Sequence, residues 1–333
     1  MTSDGLTHAR SSRMPQEGDR AARPRLTNPD KPLFEAGPSG ASPVTKAQLA
    51  TYFETVAPAM LPDLARRPLS VVRCPRGPSD DCFFQKHPES LGFPEVFRTI
   101  EVTDRTGPAT YFALDGLEGL LALVQLDVVE IHAWNSHAES PETPDRIIFD
   151  LDPGPGTAWD DVVVTAHAVQ RELHALGLGA FPKTTGGRGL HVVSPIMPKQ
   201  THAEVRAFAH ALTSKLAERQ PERYTVRMAK TERPGRVFID YLRNSHGATA
   251  IAAYSPRARP GAPVSVPVTW QELDAGLDPH AFDMVSVPVR LARAHHRDPW
   301  PDYERTRVAL SPQHFAAVGA ELLEGADDPG DGR

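Results

Sequence analysis

The feature that most constrains this chain is the run Arg146-Ile-Ile-Phe-Asp-Leu-Asp152, a strand-like apolar sequence with carboxylates at alternating positions. Side chains alternate along a strand with period two, so Asp150 and Asp152 project from one face, close enough to share a divalent cation. A second such run, Arg236-Val-Phe-Ile-Asp, ends on Asp240. An acid beside a buried strand is costly unless a cation or hydrogen-bond donors satisfy it. Between the two lies Thr184-Thr-Gly-Gly-Arg-Gly-Leu-His191. Its glycines let backbone N–H groups approach phosphate oxygens, and Arg188 adds bidentate donors. Three acids and a phosphate-cradling segment point to two-metal nucleotidyl transfer, with a 3′-hydroxyl activated and pyrophosphate stabilised as it leaves.

Taken singly, each part has a plainer reading. A paired Asp before Pro153-Gly-Pro-Gly is also a solvated turn. Phe149-Asp-Leu-Asp152 superficially resembles the haloacid-dehalogenase phosphatase signature, with Asp150 as nucleophile, although Pro153-Gly-Pro-Gly-Thr intervenes. His191 alone reads as a core histidine bonded to a backbone carbonyl. Arg233, Arg243 and Arg257 are a solvated basic face unless the acids gather them around a triphosphate. Phe83 and Phe84 are core residues unless, beside Lys86, they stack on a templating base. Lys31 and Lys46 are, alone, surface lysines.

The chain of 333 residues is 40% hydrophobic, enough for a sizeable core. No apolar run is long enough to span a bilayer, and Met1-Thr-Ser-Asp-Gly lacks the order of a signal peptide, so a cytoplasmic location is expected. Cys74 and Cys82, with seven residues between them, are too few for a disulfide framework or a four-Cys zinc site and read as buried thiols. The net charge of −6 argues against a nucleic-acid partner, but Glu321, Glu324, Asp327, Asp328 and Asp331 place part of it in the tail.

Residues 1–25 read as a disordered arm, 26–310 as a single catalytic domain, and 311–333 as a helix with an acidic disordered tail. Helical spacing predicts a helix over 45–61 capped by Thr45, and a buried helix over Leu117–Ile131 ending near His132. From Arg146 the order is strand, loop, helix (158–176), strand (189–194), helix (from the capping box Thr201-His-Ala-Glu204 to about 219) and strand (236–242). Beyond it lie a short strand over 250–255, a loop over 260–267, and helices at 270–275 and 311–323.

These residues carry a resemblance. Thr27-Asn-Pro-Asp-Lys31, Cys82-Phe-Phe-Gln-Lys86, Glu130-Ile-His132, Asp150-Leu-Asp152, Thr185 to His191 and Asp240 to Asn244 occur in the order and spacing of the polymerase domain of the bacterial ligase D family, in the archaeo-eukaryotic primase superfamily. The resemblance covers about Leu26 to Arg293. It implies an α/β (α+β) primase-type core with a mixed, largely antiparallel sheet flanked by helices. It implies that Asp150, Asp152 and Asp240 bind two Mn²⁺ or Mg²⁺ ions. Thr185, Arg188, Gly189 and His191 would contact the incoming nucleotide, with His132, Arg233, Arg243 and Arg257 around its phosphates and sugar. Phe83 and Phe84 would stack on the template, and Asn28, Lys31 and Lys46 would take a 5′-phosphate on the downstream strand.

The implied activity is templated addition of ribo- or deoxyribonucleotides to a 3′-hydroxyl at gaps or broken ends. The implied partners are gapped or broken DNA with a 5′-phosphate, nucleoside triphosphates, Ku and a separate ATP-dependent DNA ligase. A non-catalytic repair scaffold that retains the DNA pocket is the alternative. The sequence departs from the family at Arg243, where relatives often carry Gln, and at Val72, often Lys. No ligase or nuclease segment accompanies the chain, and a stand-alone polypeptide is expected.

Overall fold

The computed structural model describes residues 26–37, 42–78, 82–88, 95–104, 107–293 and 298–321. The expected arm (1–25) and acidic tail lie outside them. The N-terminal half contains β1 (Pro32–Phe34), β2 (Val44–Thr45), α1 (Lys46–Leu64), β3 (Leu69–Arg73), β4 (Phe83–Gln85), β5 (Arg98–Asp104), β6 (Gly107–Ala113), α2 (Leu117–Gln125) and β7 (Val128–Ala133). The acid-bearing half follows with β8 (Arg146–Pro153), α3 (Trp159–Ala175), β9 (Phe181–Thr184), β10 (Leu190–Pro195), α4 (His202–Arg219), β11 (Tyr224–Thr225), β12 (Val237–Asp240) and β13 (Ala250–Ile251). Three short helices, α5 (Trp270–Asp274), α6 (Ser286–Ala292) and α7 (Pro312–Val318), follow them.

Two sheets matter for function. One has the order β11-β12-β8-β10-β9 and the other β13-β7-β3-β4. The first is antiparallel except where β11 runs parallel to β12, the mixed, largely antiparallel sheet expected. Along β8, Ile147, Phe149 and Leu151 enter the main core, on which α3 lays Val162, Ala166, Val169 and Leu173. Each fully buried side chain of this kind contributes about 1.5–3 kcal/mol. The alternate β8 positions face the second sheet. Ile148 packs there with Val193 and Ala250, and Asp150 and Asp152 continue that face.

The caps at Thr45 and Thr201 form as expected, each reciprocated by the residue three on, Gln48 and Glu204. The expected helix over Leu117–Ile131 does not continue. It stops at Gln125, turns at Asp127 (φ 59), and returns as β7. An uncharged Leu/Val run suits a buried helix and a buried strand equally, and the β-branched Val128, Val129 and Ile131 tip the second half to strand. The 236–242 strand ends at Asp240 in a 3₁₀ turn, Leu242–Asn244, and the 250–255 strand is only Ala250–Ile251.

The cysteines also differ from expectation. Cys74 is buried, Cys82 is exposed, and the two form a disulfide with Cα atoms 4.4 Å apart. Arg73 pairs with Phe83 in the β3–β4 ladder, so the residues just past the paired ends face each other. Register, not cysteine count, sets that pairing.

Candidate active site

Strand register assembles the centre. Asp240 on β12 lies opposite Asp150 on β8, His191 on β10 lies opposite Asp150 on the other side, and Lys183 on β9 lies opposite His191. Directly opposed residues of antiparallel strands point to the same face. One transverse row therefore reads Asp240, Asp150, His191, Lys183, with Asp152 two residues along β8.

A guanidinium bridges two of the acids. Arg243 Nε lies 2.9 Å from Asp150 Oδ2 and 3.3 Å from Asp240 Oδ2. Asp240 Oδ1 accepts from the Leu242 N–H at 2.8 Å, shaping the turn that delivers Arg243. Burial alone would raise the Asp150 pKa, but the His191 and Arg243 charges outweigh it and hold that carboxyl well below its usual range. Burial also lowers His191 to about 4, so at neutral pH the imidazole is uncharged and the positive charge beside Asp150 is that of Arg243. Asp152 is pushed up to about 7 by burial and by the Asp150 charge, and burial raises Asp240. Two carboxyls with raised pKa values beside an ionised third form a donor set short of positive charge.

Among the described residues no three His, Cys, Asp or Glu side chains close around a single point. Arg243 instead occupies the space between Asp150 and Asp240. The acids nonetheless fit divalent cations: hard oxygen donors on one sheet face, with a guanidinium standing where positive charge is wanted.

The acids open onto a cavity of about 410 Å³ between the two sheets. Asp150, Asp152, Thr185, Arg188, Gly189 and His191 line one side, and His132, Arg233, Arg243 and Arg257 complete it. Asp240 is not on the lining; it stands behind Arg243. In the glycine segment, Thr185 Oγ1 donates to Gly189 O at 3.0 Å and Gly186 adopts φ +66. A Cβ on Gly189 would sit 2.9 Å from Leu151 O and 3.2 Å from Asp152 Oδ1, so only glycine lets this loop lie against the acids. A second cavity, about 450 Å³, is lined by prolines, Trp300, Tyr254 and Tyr303, and its charged Arg67 and Asp145 are already paired with each other. The carboxylate cavity is therefore the candidate site.

Glu130 organises the opposite wall and has no role assigned from sequence. Its Oε2 meets His132 Nε2 at 2.8 Å, and its Oε1 accepts from Arg257 Nε at 3.1 Å and Ala258 N–H at 2.7 Å. Burial would raise Glu130, but His132 and Arg257 bring it down to about 2. Arg257 in turn donates to Thr185 O at 3.2 Å, joining this wall to the glycine segment. The Glu-x-His alternation in Glu130-Ile-His132 was the available signal. Lys183 and Arg259 were also missed. Buried Lys183 donates to Ile251 O (2.6 Å) and Ser265 Oγ (3.0 Å), tying the sheets together, and Arg259 lines the cavity beside Gly187.

Phe83 and Phe84 on β4 are 44% and 47% exposed, excluding the core reading. Phe84 meets His132 edge-on at 5.4 Å, so the exposed aromatics adjoin the cavity. Asn28, Lys31 and Lys46 are not on the cavity lining. Lys31 and Lys46 gather around Asp127 instead, and Asn28 O accepts from Lys31 N–H at 3.1 Å.

Residues 45–300 match the family described as LigD, primase-polymerase domain. The chain belongs to the LigD primase-polymerase family. It is 38% identical over 281 residues to the multifunctional non-homologous end joining protein LigD of Pseudomonas aeruginosa, and 33% identical over 277 residues to that of Mycolicibacterium smegmatis. These alignments cover 84% and 82% of the chain but 33% and 36% of the relatives, so the chain spans about a third of the curated relatives it matches. Its fold matches the polymerase domain of Mycobacterium tuberculosis ligase D, solved in complex with DNA, with TM-score 0.75 and 31% identity over 84% of this chain and 98% of that one. The LigD primase-polymerase assignment and the mixed fold expected from sequence both hold.

Proposed function

We propose that this LigD primase-polymerase chain is a template-directed nucleotidyltransferase that extends a DNA 3′-hydroxyl at gaps or broken ends during end joining. The observation that carries this reading is the pair Asp150 and Asp152 on the lining of a cavity walled by arginines and a glycine segment, with Asp240 paired to Asp150 across the ladder. Asp150, Asp152 and Asp240 would hold two Mn²⁺ or Mg²⁺ ions, whose Lewis acidity acts on the attacking 3′-hydroxyl and the leaving pyrophosphate. Arg188, Arg233 and Arg257 are placed to neutralise triphosphate oxygens, and the Thr185–Gly189 segment offers backbone N–H groups without side-chain obstruction. His191, uncharged at neutral pH, offers an imidazole N–H beside Asp150. With cations bound there, Arg243 would be released from Asp150 and Asp240 and would face the nucleotide. Phe83 and Phe84 present exposed rings on which a templating base stacks. Asn28, Lys31 and Lys46 take a downstream 5′-phosphate, which accounts for DNA binding by an acidic chain. Ku and an ATP-dependent DNA ligase activity are the proposed partners.

The test is primer extension with Mn²⁺ on a gapped duplex, comparing the native chain with Asp150→Ala and ribo- with deoxyribonucleotides. Template-dictated products that vanish in the variant support the assignment. Absence of extension by folded native protein rejects it.

A further inference from the structure

The turn between α2 and β7 carries a carboxylate for which the polymerisation chemistry has no use. Asp127 adopts φ 59, a left-handed conformation that Gly, Asn and Asp accept more readily than other residues. Its side chain meets two lysines at once, with Oδ2 2.7 Å from Lys31 Nζ and Oδ1 2.9 Å from Lys46 Nζ. Each lysine is gripped again nearby. Lys46 Nζ donates to Gln125 O at 2.8 Å, and Lys31 Nζ donates to Pro75 O at 2.6 Å. Asp127 O accepts from Cys74 N–H at 3.0 Å, which fixes the Pro75 strand end against the same turn.

Lys46 is only 2% exposed, so its ammonium is held in place. An ammonium has three N–H donors. Two are engaged on Lys31, leaving the third for a ligand. The two ammoniums sit on opposite oxygens of one carboxylate, so a single rigid group sets their spacing. Unaided, two flexible lysines would repel each other and lose rotamer freedom on binding; the shared carboxylate removes both costs beforehand.

We propose that Asp127 is the positioning residue of the 5′-phosphate pocket, spacing the Lys31 and Lys46 ammoniums so that they select a terminal phosphate monoester over the phosphodiesters of a continuous strand. A monoester presents three non-bridging oxygens and nearly two charges, whereas a diester presents two oxygens and one charge. The inference rests on the assignment of Lys31 and Lys46 to that phosphate.

The experiment measures Kd of the full 333-residue chain for two gapped duplexes that differ only in a downstream 5′-phosphate or 5′-hydroxyl. The proteins are native, Asp127→Asn, Asp127→Gly and Lys46→Ala. Asn and Gly both tolerate the positive φ, and thermal melting checks each fold. Both Asp127 variants lose about tenfold of the phosphate preference, the worth of roughly one charge-assisted hydrogen bond, while affinity for the 5′-hydroxyl gap holds or rises with the added positive charge. If both keep the native preference while Lys46→Ala loses it, the role of Asp127 is overturned and the pocket stands. If the native chain shows no preference, or Lys46→Ala retains it, the pocket falls and the role of Asp127 with it.

Discussion

Asp240 faces Asp150 across the β12–β8 ladder, and the two share one guanidinium, that of Arg243. An arginine between two acids holds the charge that a divalent cation would otherwise supply. The acids are thus held in register, and Asp150 is kept ionised.

Asp240→Ala removes one of the three carboxylates and leaves Asp150 paired with Arg243. Templated synthesis should fall by about 10³-fold or more. The melting temperature should not fall, because burial already penalises the ionised Asp240. Appreciable extension by the variant would contradict the site.

Asp152 carries a pH signature. Its pKa rises from 3.8 to about 7 in the folded, metal-free protein, so folding favours the protonated form. That contribution is fully present below about pH 4 and is lost as pH rises through 7. Asp152→Asn should therefore gain stability relative to the native chain, by about 1 kcal/mol or more, as pH climbs from 4 to 7. Saturating Mn²⁺ should reverse the order by stabilising the native chain alone. Parallel denaturation curves at pH 4 and pH 7 would rule this out.

Glu130→Gln keeps the shape but removes the charge that holds His132 and Arg257. The KM for nucleotide should rise about tenfold, and the chain should lose stability, since a buried Arg257 partner is neutralised. An unchanged KM would mean that the Glu130 wall does not position the nucleotide.

Gly189→Ala forces a methyl group against Leu151 O and Asp152. Steady-state extension should drop by at least about 10²-fold through displacement of the loop from the acids. Retention of activity would show that the segment can shift at no cost.

The sequence by itself determined the local relationships. Alternation put Asp150 and Asp152 on one strand face, side-chain chemistry capped α1 at Thr45 and α4 at Thr201, and the glycine spacing marked the loop that lies against the acids. These are readable because each depends on residues within a turn or two of one another. Tertiary structure decided the rest. Only register sets Asp240 opposite Asp150, ninety positions further along the chain, pairs Cys74 with Cys82, and aligns Lys183 with His191. Only packing between sheets makes Glu130 a partner of Arg257. Hydrophobic periodicity reports which face of an element is buried; it carries no information about which distant element will cover that face, and the site lies where two such faces meet.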